Sequence, residues 1–162
     1  MEKFQELRDL ARTRIKVADH MVTMTYPLVK DSKLLLAALE NVFLSLSYSV
    51  GSVLHHQRLF KKIPPFQDTY ESKYNMFLSR IVDKHKISKE YIALMQEVHE
   101  IIEEHKKSPV EFSRKDRFVI CSDTYKIKEV SVEKIRSYIA KTKEFVGKAE
   151  AIVSENEEIF KK

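Results

Sequence analysis

The run "LLLAALENVFLSLSYSVGSVL", Leu34 to Leu54, constrains the fold more than any other stretch of this 162-residue chain. As a helix it carries two apolar stripes. Leu35, Leu39, Val42, Leu46 and Val53 fall on one line, and Leu36, Phe43, Val50 and Leu54 fall on another. A helix lying on one side of a bundle needs an apolar stripe of little more than about 100°. A helix with two stripes must therefore be covered on more than one side. Either it forms the centre of a bundle, or its second stripe meets another copy of the chain. Large uncovered apolar patches are rare on soluble monomers and two-fold dimers are the commonest oligomers, so a homodimer is the expectation.

The same run is close to the roughly 20 residues that span a bilayer. It carries Glu40, Asn41 and four serines, however, which suits the buried central helix of a soluble protein, and no membrane contact is expected. Two glycines and four prolines are too few for a sheet protein with many turns. With 43% hydrophobic and 33% charged residues, the chain reads as one globular domain over residues 1–162. Abundant lysine, glutamate and isoleucine without tryptophan suit a heat-adapted organism. Cys121 is the only cysteine and "MEKFQELRDLARTR" lacks the apolar core of a signal peptide, so a cytoplasmic protein without disulfides is expected.

Periodicity predicts an all-α, up-and-down bundle of about five helices, with a small β-hairpin inserted before the last helix. The first helix covers about Glu2 to Tyr26, with Phe4, Leu7, Ala11, Ile15, Ala18 and Val22 inward, and Pro27 ends it. Asp31 or Ser32 caps a second helix that continues to about Lys62. Asp68 and Glu71 have capping-box spacing before a third helix, and Ser88 caps a fourth, with Ile87 and Ile92 at staple spacing. "SPVE", Ser108 to Glu111, predicts a short helical turn. Phe118 to Cys121, a Ser-Asp-Thr turn, and alternation through Tyr125, Ile127 and Val130 predict the hairpin. Ser131 then caps a last helix lined by Ile135, Ile139, Val146, Ala149, Val153 and Phe160.

The residue types that carry chemistry have structural readings first. His55 and His56 are adjacent, so on a helix they point about 100° apart and cannot share a ligand. His56 falls on the core side, and His55 falls beside the second stripe. Gly51 in mid-helix predicts close approach of a neighbouring helix. Ser45, Ser47, Ser49 and Ser52 are expected to bond back to helix carbonyls or to permit close packing. "HEIIE", His99 to Glu103, lacks the second histidine of a zinc-protease motif, and no Glu-x-x-His pair suggests a di-iron centre. Cys121 reads as a small strand residue, and no glycine-rich phosphate loop is present. No cofactor or metal is expected. The net charge of +5 is spread over clusters that acidic residues interleave, which reads as a solvated face with at most weak nucleic-acid binding.

"LLLAALENVFLSLSYSVGSVL" and "YIAKTKEFVGKAEAIV" resemble helices of the small bundles of the HEPN group, and the chain is otherwise similar to small all-helical proteins of archaeal type. Many HEPN proteins are RNA-cleaving toxins or nucleotidyltransferase partners, with a signature of arginine, four to six residues, then histidine. "RIVDKH", Arg80 to His85, fits that spacing, as does "RIKVADH", Arg14 to His20. The family's motif lies at the start of the last helix, where this chain has Arg136 and no histidine. Residues five apart on a continuous helix lie about 140° from each other, so Arg80 and His85 converge only if the helix breaks between them. The resemblance implies a metal-independent ribonuclease with Arg80 as phosphate-stabilising cation and His85 as general acid or base. The residues themselves point first to a non-catalytic interaction or scaffold protein. A sequence-independent RNA-binding module is the third expectation.

Overall fold

The computed structural model describes residues 1–108, 110–114, 116–121 and 127–155, with the side chains of 110–114 excepted. It is the expected all-α bundle, with a small antiparallel sheet before the last helix. Helix α1 (Lys3–His20) buries Phe4, Leu7, Ala11, Ile15 and Ala18. It runs through a π-helical turn (Met21–Thr25) into the short α2 (Tyr26–Val29), so Pro27 lies inside the helical rod and does not end it. The wide turn explains why: the Tyr26 N–H bonds back five residues to the Met21 carbonyl, which shifts the ladder at the point where proline has no N–H to give. Lys30 closes the rod in the left-handed region, at φ 53°, with its N–H on the Tyr26 carbonyl at 2.7 Å.

Helix α3 (Lys33–Leu59) starts where Asp31 accepts a hydrogen bond from the Lys33 N–H at 3.0 Å. It stops three residues before Lys62, where left-handed Lys61 lets the Lys62 N–H reach the Gln57 carbonyl at 2.9 Å. Helix α4 (Tyr70–Arg80) is capped by Thr69, not by Asp68. The Thr69 hydroxyl accepts from the Ser72 N–H at 3.2 Å, while the Asp68 carboxylate pairs with Lys73. Helix α5 (Lys89–Lys107) has the expected cap, with the Ser88 hydroxyl on the Glu90 N–H at 3.3 Å.

Strands β1 (Val110–Arg114), β2 (Arg117–Cys121) and β3 (Ile127–Ser131) form a three-stranded meander in the order β1-β2-β3. The expected hairpin is its β2–β3 half, with Phe118 opposite Val130. The Ser-Asp-Thr turn and Tyr125 lie outside the described residues. The helical turn expected from "SPVE" is strand β1 instead. The Ser108 hydroxyl is not free to cap a helix, because it donates to the Cys121 carbonyl at 2.8 Å, and Val110 pairs with Cys121. Helix α6 (Val132–Val153) is capped by the Ser131 hydroxyl on the Lys134 N–H at 3.1 Å and buries Ile135, Ile139, Val146, Ala149 and Val153. Phe160 lies outside the described residues.

Helix α3 is the centre of the bundle, touching α1, α4, α5 and α6. Its second stripe is partly covered by its own chain: Val50 and Leu54 are buried, and Leu36 and Phe43 are half-buried against the core. Part of this stripe therefore stays at the surface of the single chain.

The α1–α3 pair is antiparallel and unusually intimate. The Ser45 hydroxyl donates to the Ala11 carbonyl and the Ser52 hydroxyl to the Phe4 carbonyl, both at 2.7 Å. These bonds cross to the neighbouring helix, where bonds within α3 were expected. Between them, a Cβ built on Gly51 would stand 3.2 Å from Leu7 Cδ1, so the glycine admits α1 as its position suggests. A buried hydrogen bond contributes about 1 kcal/mol net. Ser45→Ala and Ser52→Ala should each lower stability in urea unfolding by about that much, with near-additive effects in the double variant. Unchanged midpoints would show that these bonds do not hold the pair together.

Candidate functional site

A pocket of about 330 Å³ opens where the start of α1, the middle of α3 and the first turns of α4 meet. From α3, Phe43, Leu46, Val50 and Gly51 contribute apolar lining, joined by Leu7 of α1 and Met95 of α5. Its polar groups are Lys3, His55, Asp68 and Lys73, together with the phenols of Tyr48, Tyr70 and Tyr74.

Local sequence explains the geometry. Pro64 and Pro65 forbid continuation of α3, and the chain returns along it with the Phe66 ring edge-on to His55 at 5.2 Å. Thr69 then starts α4 at a fixed point, which sets Tyr70, Lys73 and Tyr74 against α3. An aromatic stack braces the far side. Tyr70 lies on His99 at 4.1 Å with the rings 14° from parallel, Phe43 lies 5.6 Å from the same imidazole, and Tyr74 stacks on Tyr70 at 5.8 Å. Burial above all, with Tyr74 and Glu103 adding to it, pushes the Tyr70 phenol up to about 12, so it stays a neutral donor at physiological pH. His55 is pushed down by burial first, then by the Lys73 and Lys3 ammonium groups, against a smaller opposing pull from Asp68.

The expected catalytic pair lies elsewhere. Arg80 is the last residue of α4 and is exposed, and the chain leaves the helix immediately after it. His85 sits in the following turn, its N–H on the Ile81 carbonyl at 2.9 Å, so the helix does break between the two residues. His85 is half-buried and its Nε2 has no hydrogen-bond partner. The charges it feels are Glu155, Lys84 and Lys62, and burial dominates in lowering its pKa. In the other spacing match, Arg14 reaches the Asn41 side chain at 3.4 Å while His20 is exposed at the end of α1.

His56 has no solvent exposure, as its position predicts. It is boxed by Phe4 and Phe60, each 5.0 Å away, and Gln57 donates to its Nδ1 at 3.2 Å. That bond leaves the proton on Nε2, which is buried without a partner, as is Gln57 Oε1. The adjacent histidines are thus split: His55 lines the pocket and His56 is sealed in the core. His99 of "HEIIE" is taken up by the aromatic stack. Several cations of the basic clusters are tied to acids, among them Arg12 to Glu150 at 2.9 Å, Arg117 to Glu129 at 2.9 Å and Lys143 to Asp19 at 2.5 Å.

Sequence reasoning found His55, Gly51 and the serines, but it assigned none of them to a pocket. Lys3, Asp68, Tyr70 and Lys73 were missed, because each is an ordinary surface residue until four elements meet.

Burial holds His55, His56 and His85 below the ordinary 6.5 in the fold. As pH falls through about 6.5 the unfolded chain takes up protons before the folded one does. The histidine contribution is therefore intact above that pH and is lost progressively below it. Asp19, Asp68 and Glu97 are shifted down from their ordinary 3.8 to 4.5 and act only at lower pH. The urea midpoint should fall between about pH 7 and pH 5, and His56→Leu should shrink that fall. A midpoint unchanged over this range would refute the assignment.

No protein-family model, curated protein or solved structure matches the chain.

Proposed function

We propose that this chain is a non-catalytic binding protein that acts through the pocket between α1, α3, α4 and α5. The observation that carries it is the pocket itself, whose apolar floor of leucine, valine and phenylalanine is joined by charged and phenolic groups that can orient a small ligand. The stacked wall of Phe43, His99, Tyr70 and Tyr74 supports it too, because rings locked against one another lose little freedom when a ligand arrives. The probe is 2-naphthalenemethanol, a neutral ring compound of suitable size. Titrated into isotopically labelled protein, it should shift the amide resonances of Leu7, Ser47, Gly51 and Tyr70 to saturation at one-to-one stoichiometry. Leu44→Trp, or Ser47→Leu as a second filler, should remove the binding while thermal unfolding stays cooperative. Absence of saturable binding to the native chain would end this proposal.

A HEPN-like, metal-independent ribonuclease is the second reading, favoured by one observation. The helix breaks directly after Arg80, and the turn that follows carries a half-buried histidine with an unpartnered ring nitrogen. On that reading the purified protein cleaves single-stranded RNA in chelator and His85→Ala abolishes the cleavage. Cleavage that survives in His85→Ala removes it.

A further inference from the structure

We propose that the ligand of this pocket is a small aromatic carboxylate, a proposal that rests on the binding reading above and names its chemical class. Size, wall chemistry and charge lead to it in turn.

A pocket of about 330 Å³ is at the small end of ligand sites. At the close packing of protein interiors that leaves room for about a dozen non-hydrogen atoms. The walls favour a flat ring. Phe43, Tyr48, Tyr70 and Tyr74 all line the pocket, and ring systems pack against such side chains by offset stacking or edge-to-face contact.

The charge at the pocket favours an anion. Its lining residues carry two ammonium groups, Lys3 and Lys73, against one carboxylate, Asp68. Asp68 is already paired with Lys73. Lys3 is exposed, and among the described residues no carboxylate forms a salt bridge with it. It nevertheless faces this site, since both Asp68 and His55 respond to its charge. Lys3 and Tyr70 are also the first residues of α1 and α4, so two helix starts meet at this site. An amine at this place would meet an unpaired cation, and a neutral ring would leave Lys3 without a partner. A ring ending in a carboxylate fills the apolar space and answers that charge.

Three ligands with one ring system separate the terms: 2-naphthoate, 2-naphthalenemethanol and 2-naphthylmethylamine. Calorimetric titration at low salt should show naphthoate binding about tenfold more tightly than the alcohol, with the amine weakest. The naphthoate advantage should narrow at high salt. Lys3→Glu should erase the advantage, lowering affinity for naphthoate about tenfold more than affinity for the alcohol. Lys73→Gln, which frees the Asp68 carboxylate, should also narrow the ratio of naphthoate to alcohol affinity. Decanoate should bind more weakly than naphthoate. The alcohol binding as tightly as naphthoate would overturn the carboxylate assignment and leave the binding reading standing. Decanoate binding as tightly as naphthoate would overturn the aromatic part. Failure of all three naphthalene ligands to bind saturably would overturn both the class and the binding reading. Naphthoate binding that persists in Leu44→Trp would place its site elsewhere and overturn the proposal.

Discussion

The close contact of α1 with α3 sets the terms for everything else in the bundle. Two hydroxyls seven residues apart on α3, Ser45 and Ser52, donate to two carbonyls seven residues apart on α1, those of Ala11 and Phe4. Seven residues are close to two helical turns, so the bonds lie on one seam and fix register as well as distance. The acceptors are backbone atoms, which a side chain reaches only when the helices are unusually close. Small residues make that approach possible, and Gly51 marks the limit, since one more carbon there would press on Leu7. With α1 held on this side, the remaining sides of α3 are left for α4, α5 and α6. This is why most of a helix with two apolar stripes is covered within one chain.

The pocket follows from the same seam. Leu7 and Gly51, which face each other across the α1–α3 contact, also line the cavity. The cavity thus lies where α1 is at its start and α4 has just begun. Helix starts bring unpaired backbone N–H groups and the positive end of the helix dipole to one place, whereas the interior of a helix pair brings only side-chain packing. Position in the fold, more than any unusual residue, gives this site its polar rim and apolar floor.

Features decided within a few residues were legible in the sequence. The Ser88 and Ser131 caps involve N–H groups two or three residues away, and both stand where the pattern puts them. The burial of His56 and the close approach at Gly51 also follow from spacing along one helix. What failed involved a competing partner from outside the segment. The "SPVE" capping box is overridden because Ser108 finds the Cys121 carbonyl and Val110 finds a strand. Asp68 is displaced as a cap because Lys73 takes its carboxylate and Thr69 is one residue better placed. Pro27 did not stop its helix because a π turn absorbed the missing donor, and periodicity carries no sign of such a turn. The pocket was the least legible feature, since its lining runs from Lys3 to Met95 and no two elements alone imply it.

The two histidines at the end of α3 show how one helix gives adjacent side chains of the same chemistry different surroundings. A rotation of about 100° between neighbours is enough to place His55 on the pocket and His56 in the sealed core. Both are held neutral by burial, but the consequences differ. His56 is enclosed by Phe4, Phe60 and Gln57, so burial opposes a proton there more than the Glu155 charge favours it, and the cost falls on the stability of the fold. His55 faces an open cavity beside Lys3, Lys73 and Asp68, so a ligand can change the balance of charge around it. An anion entering the pocket would favour the protonated imidazole that Lys3 and Lys73 now oppose. Proton uptake at His55 would therefore accompany entry of an anion, while proton uptake at His56 is coupled to unfolding. Adjacent positions of identical chemistry thus belong to different equilibria, and the helical rotation between them makes the separation.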